Sequence, residues 1–184
     1  MAVRLDYPDV DTMVKQKLPD LWATCEEKPD KWTSTSFHWK MLQFVAGDLR
    51  LVNEFVFDLL VKTIASTTCP EIKLKSFNLL TASMERVECD PAQFQSILLA
   101  NIKWKPGRSA SVLRSCVALC AFTAILHNKI EITPSNVDVY ADAFLHLVED
   151  EIVNSRLTAI RVLKRCLFVG KPANLDTILT SNCK

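Results

Sequence analysis

Hydrophobic residues recur along almost the whole chain with the period of an α-helix, and no Asn-Gly or Asp-Gly hairpin signal occurs. The pattern therefore predicts an all-α fold. Prolines mark most of the breaks between the periodic segments, as expected for a residue that cannot continue a helix interior. The predicted helices span residues 10–27, 36–47, 49–65, 71–86, 91–102, 109–127, 135–149, 152–168 and 173–181. Pro19 is expected to divide or restart the first of them.

The spacing of these helices indicates a repeat of helix pairs. Long hydrophobic helices begin near residues 71, 109 and 152, and shorter ones begin between them near 91, 135 and 173. A period of roughly 40 residues is typical of HEAT and armadillo arrays, in which each pair of helices stacks on the next. Basic residues recur early in the first helix of each pair, at Lys75, Arg114 and Arg156.

We therefore expect a single HEAT/armadillo-type helical-repeat solenoid, an α-α superhelix, over residues 1–184. Residues 1–46 are predicted to form less regular N-terminal helices. Residues 47–184 are predicted to form the helix-pair repeats.

Two of the long helices differ in the distribution of their hydrophobic side chains. In helix 109–127 these side chains cover nearly the whole circumference, so this helix is expected to be buried on all sides, with Leu119 in the core. Helix 152–168 is expected to have one hydrophobic arc and one solvated basic arc. The hydrophobic arc comprises Ile160, Val162, Leu163, Cys166 and Leu167. The basic arc comprises Arg156, Arg161, Lys164 and Arg165.

Composition and charge exclude several functional classes. The 184 residues are 49% hydrophobic and 23% charged, which is typical of a globular rather than a disordered chain. Three glycines leave little room for a phosphate-binding loop, and a net charge of +1 creates no global attraction for nucleic acid or an anionic membrane. The longest uncharged stretch, Ser115 to Asn128, is too short to span a bilayer. Residues 1–11 are mixed and acidic, so we expect no targeting segment.

The cysteines favour a reducing compartment. They stand at positions 25, 69, 89, 116, 120, 166 and 183, an odd number without a CxxC motif, and most lie in hydrophobic helical segments. Cys116 and Cys120 share a helix face, but no histidine or carboxylate is in register to complete a zinc site. We therefore expect free thiols, no metal, no cofactor and a cytoplasmic location.

The titratable residues form no recognisable catalytic motif. The three histidines are His38, His127 and His146. None of them is accompanied by an ordered nucleophile and an orienting acid. The acidic runs Glu26-Glu27 and Glu149-Asp150-Glu151 are expected to be solvated helix ends. We therefore expect a protein that is not an enzyme and has no small-molecule substrate.

The connector between helices 91–102 and 109–127 is the first candidate binding surface. Its basic residues are Lys103, Lys105 and Arg108, with Arg114 in the helix that follows. The connector either docks an acidic segment of a partner or serves packing. In the packing interpretation, Trp104 covers the repeat junction and Arg108 satisfies carbonyl groups at a helix end.

The basic arc of helix 152–168 is the second candidate, either as a solvated face or as another site for an acidic partner. The connector lacks the series of aromatic residues on which single-stranded nucleic acid stacks, so its few charges make a weak site for nucleic acid. The candidate partner-binding residues are Lys103, Trp104, Lys105, Arg108, Arg161, Lys164 and Arg165.

The first connector also carries a resemblance to a known family. The pattern Trp104-x-x-Gly107-Arg108-x-Ala110-x-x-Leu113-Arg114, followed by Cys120, resembles the C-terminal HEAT repeats of the dynein axonemal assembly factor 5 family, also called HEAT repeat-containing protein 2. The likeness continues with Glu149-Asp150-Glu151, Arg156-Leu157 and Arg161, and covers about residues 97–168. Residues 1–90 fit by helix pattern alone. Because family members are longer arrays, the resemblance implies a fragment or a divergent short form.

The resemblance implies a cytoplasmic, non-enzymatic factor that helps to preassemble axonemal dynein arms before they enter the cilium. Its partners would be dynein arm subunits, chaperones and other assembly factors, without nucleic acid or membrane. The alternative is a HEAT/armadillo adaptor in trafficking, nuclear import or phosphatase regulation, against which the Trp104-Gly107-Arg108 pattern discriminates. A third hypothesis, a helical enzyme or nucleic-acid accessory, requires a pocket lined by titratable residues or salt-sensitive binding of nucleic acid.

Overall fold

The structure, a computed structural model, describes residues 10–23, 28–102 and 108–170. Every regular element in these ranges is helical, which confirms the all-α class for the described part of the chain. The α-helices are α1 Val10–Ala23, α2 Phe37–Gly47, α3 Glu54–Ser66, α4 Pro70–Ser83, α5 Pro91–Ile102, α6 Arg108–Leu126, α7 Val137–Leu145 and α8 Val153–Val169. Short 3-10 helices occupy Pro29–Lys31 and His146–Glu149. The helix predicted at 173–181 lies outside the described residues.

Side-chain caps determine where two of the helices begin. α3 begins at Glu54, later than predicted, because the Asn53 side chain accepts the N–H of Val56 at 3.0 Å and caps the helix there. α5 begins as predicted, since the Asp90 side chain accepts the N–H of Ala92 at 3.0 Å. Pro91, between Asp90 and Ala92, occupies the first helical position of α5, where its missing N–H is not needed.

The first helix departs from the prediction at Pro19. α1 continues through this residue from Val10 to Ala23, so the prediction that Pro19 divides the helix is wrong. A proline removes one main-chain hydrogen bond and bends a helix, but it does not oblige the helix to end.

A left-handed C-cap ends α6. Asn128 has a φ of 55°, a conformation that asparagine tolerates better than most residues. The N–H of Lys129 donates to the Ala124 carbonyl at 2.9 Å, and the N–H of Asn128 donates to the Ile125 carbonyl at 3.3 Å. This pair of bonds is the Schellman motif. It stops the helix and turns the chain towards α7.

From α3 onwards, the helices pack as sequential pairs arranged in two rows. α3 packs on α4, α5 on α6, and α7 on α8. Between pairs, α4 packs closely on α6 and α6 on α8, whereas α3 with α5 and α5 with α7 touch more sparsely. The helices of the closer row begin at Pro70, Arg108 and Val153, in agreement with the predicted starts near 71, 109 and 152.

The hydrophobic core lies between the two rows. Its largest fully buried side chains include Phe57, Phe77, Phe94, Tyr140 and Phe144 from the two rows, and Trp39 of α2. Phe57 of α3 and Phe94 of α5 meet edge to face with ring centroids 5.7 Å apart, which joins successive pairs in the looser row. None of the helices in the described ranges has the length and hydropathy that crossing a bilayer requires.

α6 is less enclosed than its composition predicts. Val112, Leu119 and Leu126 recur every seven residues along it and are 42%, 47% and 48% exposed. The expectation that α6 is buried on all sides, with Leu119 in the core, is therefore wrong. Three helices surround α6, namely α4, α5 and α8, and they leave its fourth side open. Small residues such as Ala118 and Ala121 form the buried side, which allows the neighbouring helices to approach closely.

Truncation of two leucines tests this assignment of faces. Leu80 of α4 is fully buried, so Leu80→Ala leaves a cavity and is expected to lower the free energy of unfolding by about 2–5 kcal/mol. Leu119→Ala removes the same atoms from a half-exposed position and should cost less than about 1 kcal/mol. Urea unfolding of the two variants measures the difference. Equal losses would contradict the open face of α6.

Candidate protein-binding surface at the junction of α6 and α8

Most of the predicted connector surface, Lys103, Trp104 and Lys105, lies outside the described residues. Arg108 is the first residue of α6. Arg114, which the sequence assigns to the same basic surface, is 4% exposed. It cannot meet a partner from this position, so its assignment to a docking surface is wrong.

Arg114 instead forms a buried ion pair that joins α6 to the turn before α8. Its Nε donates to Oδ2 of Asp150 at 3.0 Å, and the two side chains are 5% and 0% exposed. Its Nη2 donates to the Ser111 hydroxyl at 2.8 Å. Oδ1 of Asp150 accepts the N–H of Ile152 at 3.0 Å, at the start of α8. The sequence predicts that Asp150 belongs to a solvated acidic run, and this prediction is wrong. Asp150 is the centre of a buried polar network.

Arg156 holds the same turn from the other side. Its Nη1 donates to the carbonyl of Asp150 at 2.7 Å and to that of Glu151 at 3.3 Å. The third basic residue of the predicted series, Lys75, forms an exposed ion pair with Glu71 one turn away in α4, at 2.9 Å. The three basic residues thus share a charge but make different contacts.

Three of the four residues of the basic arc of α8 are solvated, as predicted, whereas Arg156 is half-buried. Arg161, Lys164 and Arg165 are all exposed. Within the described ranges none of the three forms an ion pair. Two of them lie over aromatic rings: the guanidinium carbon of Arg161 is 5.7 Å from the Phe122 centroid, and Nζ of Lys164 is 6.0 Å from the Phe168 centroid. Cation–π contacts of this kind orient the cations over the rings without neutralising their charge.

The hydrophobic arc predicted for α8 is correct at its centre and wrong at its edges. Val162, Leu163 and Cys166 are buried. Ile160 and Leu167 are 49% and 45% exposed, because α6 and α7 cover a narrower face of α8 than the sequence pattern marks.

These side chains border an open concavity of about 470 Å³ between α6 and α8. Its lining residues are Phe122, Leu126, Arg161, Lys164, Arg165 and Phe168, which we call the α6–α8 groove. Three of them are hydrophobic and three are cationic, and no carboxylate of the described ranges lines it. Sequence reasoning identified the cations but missed the three hydrophobic residues. The spacing of Lys164 and Phe168, one helical turn apart, was the available signal for part of the groove.

A second concavity, of about 320 Å³, lies between α3 and α5 and has the opposite charge. Glu54, Asp58, Glu88 and Asp90 line it together with Phe57 and Phe94. Two of its carboxylates are paired with lysines: Asp58 with Lys62 at 2.6 Å, and Glu88 with Lys129 at 2.9 Å. These pairs compensate part of the negative charge.

Four of the described thiols are poor nucleophiles, because burial raises their pKa. Burial raises the pKa of Cys120 to about 12 and that of Cys166 to about 11. Burial also raises the pKa of Cys89 and Cys116. Since the thiolate is the reactive form, these shifts suppress nucleophilic chemistry at neutral pH. In the described ranges no group of three potential metal ligands converges.

Alkylation of the native protein tests the burial of Cys120. At about pH 8, a thiol whose pKa is about 12 is present as thiolate in roughly one molecule in ten thousand, far less than an unperturbed cysteine. Iodoacetamide should therefore leave Cys120 unmodified in the folded protein and modify it in urea, as peptide mass spectrometry can measure. Equal alkylation rates in both states would show that α6 does not bury this residue.

Comparison of the chain with models of protein families, with curated proteins and with solved structures found no match. The resemblance of residues 97–168 to a dynein assembly factor therefore rests on the sequence pattern alone. The packing of the helices and the α6–α8 groove are the features of the structure from which a function can be inferred.

Proposed function

We propose that the chain is a HEAT-type helical-repeat solenoid that acts as a non-enzymatic protein-binding scaffold. The observation that carries this proposal is the row of α4, α6 and α8, in which each helix packs on the next and on its own partner helix from the other row. The row repeats about every 40 residues, the period of HEAT arrays. Stacked pairs of this kind present extended surfaces to partners.

The exposed side chains of the closer row support binding of a protein. Leu119, Leu126 and Phe168 are between 47% and 78% exposed, although large hydrophobic side chains are normally withdrawn from water. They lie beside cations that have no ion-pair partner in the described ranges. Hydrophobic patches rimmed by charged residues are typical of protein interfaces.

The chemistry of the two concavities favours binding over catalysis. Among the described residues, the α6–α8 groove is lined by cations and hydrophobic side chains and by neither a nucleophile nor a carboxylate. In the acidic concavity, Asp58 and Glu88 are engaged by lysines. Burial raises the pKa of Cys89, the one thiol that lines it, which lowers its reactivity. We therefore assign no catalytic step to the described residues.

The narrower proposal is a cytoplasmic factor for the preassembly of axonemal dynein arms. Its support is the Trp104-Gly107-Arg108 pattern and the resemblance that continues to Arg161. Dynein arm subunits, chaperones and other assembly factors are the proposed partners. A HEAT/armadillo adaptor in trafficking, nuclear import or phosphatase regulation would use the same kind of fold, so the identity of the captured partner distinguishes the two.

Capture from an extract of ciliated cells tests the proposal. We expect the immobilised protein to retain dynein chains or assembly factors, identified by mass spectrometry. A Lys103→Glu/Lys105→Glu variant should retain less of them, because charges at an interface rim govern the rate and salt dependence of association. Lys31→Glu/Lys40→Glu, which makes the same charge change at two exposed residues elsewhere, should bind as the parent does.

All proteins compared must have the same melting temperature, since lost binding would otherwise report unfolding. Retention of importins, coat subunits or phosphatase subunits without any dynein component would contradict the narrower proposal. Retention of no specific partner would contradict the scaffold proposal itself.

A further inference from the structure

We propose that the α6–α8 groove binds an acidic amphipathic helix of a partner protein. The inference rests on the proposed scaffold function and adds the site and the chemistry of the partner. Three features support it: positive charge that no carboxylate of the described residues pairs with, exposed hydrophobic side chains beside that charge, and a cation placed over each of two rings.

The positive charge of the groove favours an acidic ligand. Arg161, Lys164 and Arg165 are within five residues of one another, all exposed, and none is paired with a carboxylate of the described ranges. Among the described residues, Glu131 lines the adjoining hollow together with Arg165. A concave surface of one sign attracts ligands of the opposite sign.

The hydrophobic side chains of the groove favour a ligand that has one hydrophobic face. Phe168 is 78% exposed, Leu126 is 48% exposed, and Phe122 is half-buried. Leu119, about one turn before Phe122 in α6, is 47% exposed. A helix laid between α6 and α8 would cover these side chains with residues at three- and four-residue spacing, as in other helix-in-groove complexes.

The aromatic rings favour a peptide over single-stranded nucleic acid. Binding of single strands relies on bases that stack on free ring faces. Here the cation of Arg161 lies over Phe122 and that of Lys164 lies over Phe168. A cation thus shares each ring with any ligand, and leucine and glutamate side chains match this mixture of hydrophobic and cationic groups.

Fluorescence anisotropy with a designed peptide tests the inference. The probe is a labelled helical peptide of about 14 residues, roughly 20 Å long, with leucines on one face and glutamates on the flanks. We expect a dissociation constant on the order of 10 µM that rises with salt. Arg161→Glu/Lys164→Glu should weaken binding by about tenfold or more, and Phe168→Ala by about threefold. Lys31→Glu/Lys40→Glu should leave the dissociation constant unchanged.

Three comparison ligands define the results that would overturn the inference. A scrambled peptide of the same composition that binds equally well would reduce the effect to non-specific charge attraction. A lysine-containing counterpart or a single-stranded oligonucleotide that binds more tightly than the probe would assign the groove to another ligand. All variants change exposed side chains, and circular dichroism checks that each remains folded.

Two further results separate this inference from the scaffold proposal. If the probe does not bind, while the parent and Arg161→Glu/Lys164→Glu capture the same partner from extract, the groove inference fails and the scaffold proposal stands. If gel filtration shows a dimer that the same substitutions dissociate, the groove is occupied by a second copy of the chain. That result would also overturn the inference.

Discussion

The buried ion pair between Arg114 and Asp150 is the interaction on which the junction of α6 and α8 depends. Both side chains are almost completely withdrawn from water, so each needs the other to offset its lost hydration. Ser111 and the N–H of Ile152 satisfy further hydrogen-bonding groups of the pair. A fully satisfied polar network permits few alternative arrangements. It therefore fixes where α8 begins relative to α6.

That fixed position creates the surface that we interpret as functional. Once α8 lies against α6, Arg161 is placed over Phe122, and Lys164 and Arg165 line the same groove. The open side of α6 supplies the hydrophobic residues, because its buried side is already covered by α4, α5 and α8. The buried contacts of α6 and the exposure of its remaining hydrophobic residues thus both follow from the way in which α4, α5 and α8 pack around it.

The all-helical class and the starts of α4, α6 and α8 could be predicted from the sequence, because helix periodicity and proline breaks are local properties. The exposure of Arg161, Lys164 and Arg165 was predictable for the same reason. Hydrophobic residues around the whole of α6 did not reveal that Leu119 faces water, since this depends on how many helices surround it. The pairing of Arg114 with Asp150 joins residues 36 positions apart, and charge patterns along a single helix do not show it. Phe122 and Phe168 were missed because the groove forms only when two helices meet.

A double-mutant cycle across the buried pair tests the central claim that Arg114 and Asp150 together hold α6 against α8. Arg114→Met alone should lower the free energy of unfolding by about 3–5 kcal/mol, because it leaves a buried carboxylate without its partner. Asp150→Asn keeps an acceptor for the N–H of Ile152 but strands the arginine. We expect the double variant to be more stable than the sum of the single effects predicts, by about 2 kcal/mol. Additive effects of the two substitutions in urea unfolding would contradict the account.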